Sequence, residues 1–196
     1  MTLTELQDEV YAITNRPDLA DRTLSAIRAS TLKLHQADYF YKDLFESGIT
    51  FSISAYLQQI EYRTLFPRWR ALKYIRKSDV NSDPNGRILE IITPDQILDD
   101  YGINRNDVCY VGGEVINIRS STELQYIFLG CYLNPDVTIS GYNSWIAKDH
   151  PWAIIQQAAA QIFRSIGKQE EWAASAREAA DQFALVRQSN ILAVGY

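Results

Sequence analysis

Residues 150–188 read HPWAIIQQAAAQIFRSIGKQEEWAASAREAADQFALVRQ, and this stretch decides the fold. In its first half Trp152, Ile155, Ala159, Ile162, Phe163 and Ile166 recur at spacings of three and four, one face of a 3.6-residue period. Asp149 or His150 stands at the cap, and Pro151 falls in the first turn, where its missing N–H costs nothing. Gly167 occupies the place of a left-handed C′ residue, and Glu170 and Glu171 follow in the first turn of a second helix, opposite its positive dipole end. The apolar stripe of that second helix is expected to be Trp172, Ala173, Ala176, Ala180, Phe183 and Ala184. Alanines from Ala158 to Ala184 let helix axes approach closely, and Trp152, Phe163 and Trp172 are expected to fill the gaps. The stretch is half of a helical bundle.

The other half lies at the start of the chain. Leu3, Leu6, Val10 and Ile13 mark a helix from Thr2 to Ile13, capped by Thr2 or Thr4 and stopped at Asn15-Arg16-Pro17. Asp18 or Asp21 then opens a longer helix through Leu19, Leu24, Ile27, Leu32 and Leu34 to about Ala37. Between the two halves the periodicity drops to two, beginning with Ile49, Phe51 and Ile53. Strands are expected over Tyr56–Thr64, Trp69–Arg76, Arg87–Ile92 and Leu124–Leu133, with a turn at Asp83-Pro84-Asn85-Gly86 and a short capped helix over Asp95–Tyr101. The clearest hairpin puts Gly112-Gly113 between Val108–Val111 and Val115–Ile118. The expected fold class is therefore α+β. A bundle of N-terminal (1–40) and C-terminal (149–188) helices carries a mainly antiparallel β insertion (41–148), and residues 189–196 form an extended C-terminal tail.

Bulk chemistry narrows the function. With 46% apolar residues the chain can bury a core without staples, and a formal charge of −5 argues against a surface built to grip phosphates. Cys109 and Cys131 stand in apolar surroundings, as small buried hydrophobes. No N-terminal basic-plus-apolar signal and no run near the ~18 apolar residues of a membrane span is present, so synthesis in the cytosol and no membrane contact are expected. His35 and His150 lack a third ligand at useful spacing and are expected to cap or pack at the surface; no metal and no cofactor is expected. The acidic cluster Asp99, Asp100, Asn104, Asn106 and Asp107 lacks the alternation and closing glutamate of a calcium loop and is expected to be a solvated helix end. No nucleophile elbow, phosphate loop or zinc-protease motif occurs, so no catalytic residue is assigned.

Two stretches point to contacts instead. Arg63, Arg68, Arg70, Lys73, Arg76 and Lys77 interleave with Tyr62, Phe66, Trp69 and Tyr74, a mixture that suits a DNA-binding module over 63–77, a solvated edge strand or a subunit contact. The end of the chain, Ser-Asn-Ile-Leu-Ala-Val-Gly-Tyr over 189–196, is apolar after a finished helix, which suits packing on its own subunit or docking into a partner.

The order of elements resembles head-to-tail adaptor proteins of tailed bacteriophages, most of all the tail tubular or adaptor proteins of short-tailed phages. The likeness is carried by the N-terminal helix pair, Ala37-Asp38-Tyr39-Phe40-Tyr41, the β stretch with Tyr110-Val111-Gly112-Gly113-Glu114, and Asp149-His150-Pro151-Trp152-Ala153 leading into an alanine-rich final helix pair. What the resemblance implies is a non-enzymatic virion protein at the head–tail junction, made in the host cytoplasm and assembled as a ring, commonly of twelve copies, between portal and tail nozzle. Genomic DNA would pass through its lumen without specific binding, as an acidic wall allows. Under that reading Ile191, Leu192, Val194 and Tyr196 are expected to dock on the portal, and Arg68, Arg70, Lys73, Arg76 and Lys77 to contact the next subunit or the nozzle.

Overall fold

The computed structural model describes residues 1–78 and 85–194, with side chains given through Ile191. The fold is α+β, and the chain divides into two compact units: residues 1–43 with 134–196, and residues 44–133.

The first unit is helical. Helix α1 (Leu3–Thr14) starts at Thr2, whose hydroxyl accepts from the Glu5 N–H while the Glu5 carboxylate accepts from the Thr2 N–H, a reciprocal capping box. It ends at Asn15 in the left-handed region, with φ 51°. One 3-10 turn, Pro17–Leu19, leads into α2 (Ala20–Gln36). The chain returns to this unit with the short helix α4 (Trp145–Asp149), then α5 (Pro151–Ser165) and α6 (Gln169–Val194); α3 (Tyr62–Leu65) is a single turn in the second unit. Pro151 opens α5 as expected. At its end the Lys168 N–H reaches the Phe163 carbonyl at 3.0 Å and the Gly167 N–H the Arg164 carbonyl at 3.3 Å, the paired bonds of a Schellman motif, with Gly167 at φ +77°. Helix α5 packs on α1, α2, α4 and α6 at once. That is why its inner faces carry fully buried Ala153, Ala158 and Ala159 beside Ile154 and Ile155: small side chains let neighbouring axes close in.

Four expectations about this unit are corrected. Trp152 fills no gap; it is 46% exposed. The stripe expected on α6 is rotated, because Ser175, Ala179 and Val186 are buried while Ala173, Ala180 and Ala184 face solvent. Alanine occurs on both faces of this helix, so composition alone could not choose between them. The β insertion covers 44–133 and not 41–148, since Phe40, Ile146 and Ala147 are fully buried in the helical core. Finally, residues 189–194 are no extended tail: nothing in the sequence breaks the helix after Gln188, so α6 continues to Val194, with the Ser189 hydroxyl donating to the Val186 carbonyl at 2.8 Å.

Among the described residues the second unit is a five-stranded sheet. Its strands are β1 (Leu44–Glu61), β2 (Trp69–Ser78), β3 (Glu90–Ile91), β4 (Val108–Gly112) and β5 (Val115–Leu133), with the helical turn α3 (Tyr62–Leu65) after β1. Strand β5 organises it. Its first half pairs with β4 on one side and with Leu57–Glu61 of β1 on the other; its second half pairs with β2 and with Leu44–Thr50 of β1. All these pairs are antiparallel, and β3 adds to β4 in parallel. The β4–β5 hairpin turns through Gly113-Glu114, where Gly113 at φ +63° supplies the positive dihedral that a two-residue loop requires. Inward-facing Ile116, Ile118, Ile127, Leu129 and Cys131 alternate along β5 and meet Ile60, Trp69, Ile75, Leu89 and Cys109 in the core. The short helix expected over Asp95–Tyr101 is a 3-10 turn, Pro94–Ile97. Of the expected turn, Asp83 and Pro84 lie outside the described residues.

Candidate interaction surfaces

The helical unit contains a constellation that sequence reasoning missed. His35 sits with Nδ1 2.8 Å from Asp43 Oδ1 and Nε2 2.9 Å from Ser144 Oγ; the Trp145 indole N–H donates to the same Asp43 oxygen at 2.8 Å. Carboxylate, imidazole and hydroxyl in this order have the connectivity of an activated nucleophile. The surroundings give it a different task. Ser144 is 3% exposed and His35 1%, and the Ser144 hydroxyl already accepts from the Ala147 N–H at 3.1 Å as the cap of α4. A substrate carbonyl has no route to an oxygen so enclosed, and the network serves to lock α4 against the end of α2. His35 is thus a buried linchpin and not the surface or capping residue expected. Its partners lie 8 and 109 positions away, so no local pattern announced them. His150 does sit at the start of α5, with Nε2 3.1 Å from the Ser189 hydroxyl.

The cations of 63–77 do not form one patch. Lys77 is engaged by Asp107 in an ion pair whose side chains are only 15% and 16% exposed, and its ammonium also donates to the Ser121 hydroxyl at 3.0 Å. Burial alone would raise the Asp107 carboxyl; the Lys77 ammonium and the Ser121 N–H and hydroxyl outweigh it and hold the group at about 2. Arg76 lies over the Tyr74 ring, 5.1 Å from its centroid, and Tyr74 stacks on Phe128 while its hydroxyl donates to Glu46. Burial and the Glu46 carboxylate push the Tyr74 phenol up to about 12. Register puts Lys77, opposite Ile127, on the core face and Arg76, opposite Phe128, on the other. Arg70 and Lys73 fall at register shifts of β2, and Arg68 and Lys73 are exposed.

The acidic cluster likewise separates. Asp99 Oδ1 accepts from the Tyr101 and Ile103 N–H groups at 2.9 and 2.8 Å and shapes a turn, whereas Asp107 belongs to the Lys77 pair. Among the described residues no group of three potential metal ligands occurs, and no helix is long and apolar enough to cross a membrane. Cys109 and Cys131 are buried free thiols, and burial pushes both up to about 12.

Of the residues expected to dock a partner, Ile191 is 56% exposed on α6. It lines, with Ala180, Phe183, Ala184, Arg187 and Gln188, a shallow surface groove of about 530 Å³. Arg187 covers the Phe183 ring at 4.8 Å and reaches Asp38 at 3.6 Å, fixing one side of the groove. Leu192 and Val194 follow on the same helix by backbone, their side chains lying outside the described residues, as does Tyr196 altogether. In the sheet, β1 runs for 18 residues and pairs with β5 alone among the described strands. Along it Ile53, Tyr56 and Leu57 are 76%, 55% and 61% exposed. No protein-family model matches the chain, and no curated protein matches it significantly.

Proposed function

We propose that this chain is a structural protein of a tailed-phage virion: a ring-forming adaptor that joins the portal to the tail nozzle and forms part of the DNA channel. It performs no chemical step and uses no cofactor. The observation that carries this reading is the outer face of α6, where Ala180, Ala184 and Ile191 expose an apolar groove at the end of the chain. Such a face on a surface helix gains free energy only when a partner covers it, which suits docking by its i, i+4 and i+11 positions onto a preformed portal. The order of elements, with N- and C-terminal helices forming one unit and the sheet inserted between them in sequence, supports the same family likeness. The net charge of −5 suits a wall along which DNA slides without adhering. A DNA-gripping role for residues 63–77 draws no support from Lys77, which is committed to Asp107.

The test is size-exclusion chromatography with light scattering on the chain alone and mixed with a phage portal ring. Co-elution with the portal is expected. A lasting monomer that ignores the portal overturns the reading.

A further inference from the structure

Between β3 and β4 the chain turns back on itself in a small hairpin, residues 97–105. The Asp99 N–H donates to the Ile103 carbonyl at 2.8 Å, the Arg105 N–H to the Ile97 carbonyl at 2.9 Å and the Gly102 N–H to the Asp99 carbonyl at 3.0 Å. Inside the bend Asp99 Oδ1 accepts from the Tyr101 and Ile103 N–H groups, and Gly102 takes φ +74°, in the left-handed region. These bonds fix the tip before any encounter. What the tip presents is apolar: Leu98, Tyr101 and Ile103 are exposed, and Tyr101, at 89%, is the most exposed large apolar side chain among the described residues. A pre-shaped aromatic tip keeps its ordering cost out of binding, and tyrosine is enriched among the residues that anchor interfaces.

Charge says what receives it. Asp99 and Asp100 precede Tyr101 in the chain, Asp95 lines the same shallow depression as both, and Arg105, the cation of that depression, is held by Glu90 at 2.5 Å. The fitting receptor is an apolar cleft with cations beside it. The same sheet unit offers one of about 320 Å³ between residues 49–52 and 59–61 of β1 and the turn α3, floored by Ile49, Phe51, Ile60 and Leu65. That volume is at the low end for ligand pockets and suits one aromatic side chain. Arg63 and Arg68 bracket its Thr64 and Leu65 in the chain; both are exposed, and neither is in an ion pair among the described residues. Glu61 is the carboxylate of the lining, so two cations stand against one anion. Two other clefts fit less well: the one between α2 and α5 sets Asp21 beside Arg22, and in the α6 groove Arg187 is paired with Asp38.

Within one copy the two surfaces do not meet, since Tyr101 stands in solvent. The hairpin leads into the start of β4 at Val108, whereas α3 is tied to the far end of β4, where the Tyr62 hydroxyl donates to the Gly113 carbonyl at 2.9 Å. We propose that copies of this chain join head to tail through them: the knuckle 98–104 of one copy seats Tyr101 in the cleft beside α3 of the next, with Asp99 and Asp100 facing Arg63 and Arg68. This rests on the ring-forming reading above and names the contact between neighbours. A joint of two different surfaces is heterologous and leaves each end of a growing row open until the ring closes. One such joint is small, so single pairs dissociate readily and closure holds the ring.

Three variants, all at exposed positions, test it: Tyr101→Ala removes the anchor, Asp100→Arg reverses the charge of the knuckle, and Arg63→Glu with Arg68→Glu reverses that of the cleft. Thermal melts verify that each folds like wild type. In a sedimentation concentration series the wild-type chain self-associates, and each variant alone does so roughly tenfold more weakly or worse. The two charge variants mixed one to one recover assembly, because the reversed knuckle of one meets the reversed cleft of the other and the native knuckle meets the native cleft. Four results overturn the pairing: a wild-type chain that stays monomeric at its highest soluble concentration, Tyr101→Ala assembling like wild type, either charge variant assembling like wild type, or a mixture that fails to recover. Portal binding by the wild-type chain is measured in parallel. Portal binding without pairing between copies removes only this inference, and recovered pairing without portal binding removes only the adaptor reading.

Discussion

The ring of Tyr74 on β2 lies across Gly130 on β5, so close that a Cβ at position 130 would fall 2.6 Å from Tyr74 Cε1. Opposed in register, the two residues let the phenol cross β5 and reach Glu46 on β1. Gly130→Ala therefore forces the ring aside and breaks this cross-strand contact. A loss of about 1–3 kcal/mol is expected in urea unfolding, as for an overpacked site. Gly130→Ala combined with Tyr74→Ala should recover part of it; an unchanged midpoint for Gly130→Ala alone contradicts the close approach.

Asp107 gives the stability a pH signature. Its folded value, about 2, lies below the ordinary 3.8, so its contribution is fully present above pH 4 and is lost as pH falls towards 2. The group is 16% exposed in its side chain, and the shift corresponds to roughly 2 kcal/mol. Asp107→Asn, which keeps the left-handed backbone at φ 61° comfortable, should flatten the acid limb of a stability–pH curve relative to wild type. A variant curve parallel to wild type between pH 4 and 2 would show that the Lys77 pair does not hold the carboxylate.

Ser144→Ala removes both the cap of α4 and the partner of His35 Nε2. Leaving a buried acceptor and a buried N–H without their hydroxyl should cost about 1–3 kcal/mol, read as a lower melting temperature. Were the same constellation catalytic, a serine-directed acylating probe would label wild type and not the variant; no labelling is expected of either.

On α6, Ala184→Glu and Ile191→Glu change exposed residues of the groove. Stability should stay within about 0.5 kcal/mol of wild type, as for surface positions, while co-elution with the portal ring weakens. Unimpaired portal binding by both would move the docking surface elsewhere.

Periodicity and punctuation were enough to read several elements from the sequence. Thr2 with Glu5, Pro151, and Gly167 act through neighbours three to five residues away, and such local chemistry is written into the chain itself. The α+β class followed from the change of period between residues 40 and 50, and the β4–β5 hairpin from its glycines. The interaction surfaces were legible only in part. The exposed Ile191 was marked by an apolar chain end, but that end is helical, because nothing after Gln188 stops α6 and its Ser189 and Asn190 side chains hold to their own unit.

What tertiary structure alone decided is pairing across distance. Alanine on both faces of α6 left its buried side open until α5 chose Ser175, Ala179 and Val186. Six neighbouring cations looked like one patch until strand register sent Lys77 to Asp107 and Arg76 to Tyr74, on opposite faces of β2. His35 meets Asp43 and Ser144 only because segments 8 and 109 positions apart fold into one helical unit. Short-range signals are energies between residues that the chain keeps adjacent in every conformation, whereas these contacts exist only after loop-closure entropy has been overcome, and no window of sequence contains them.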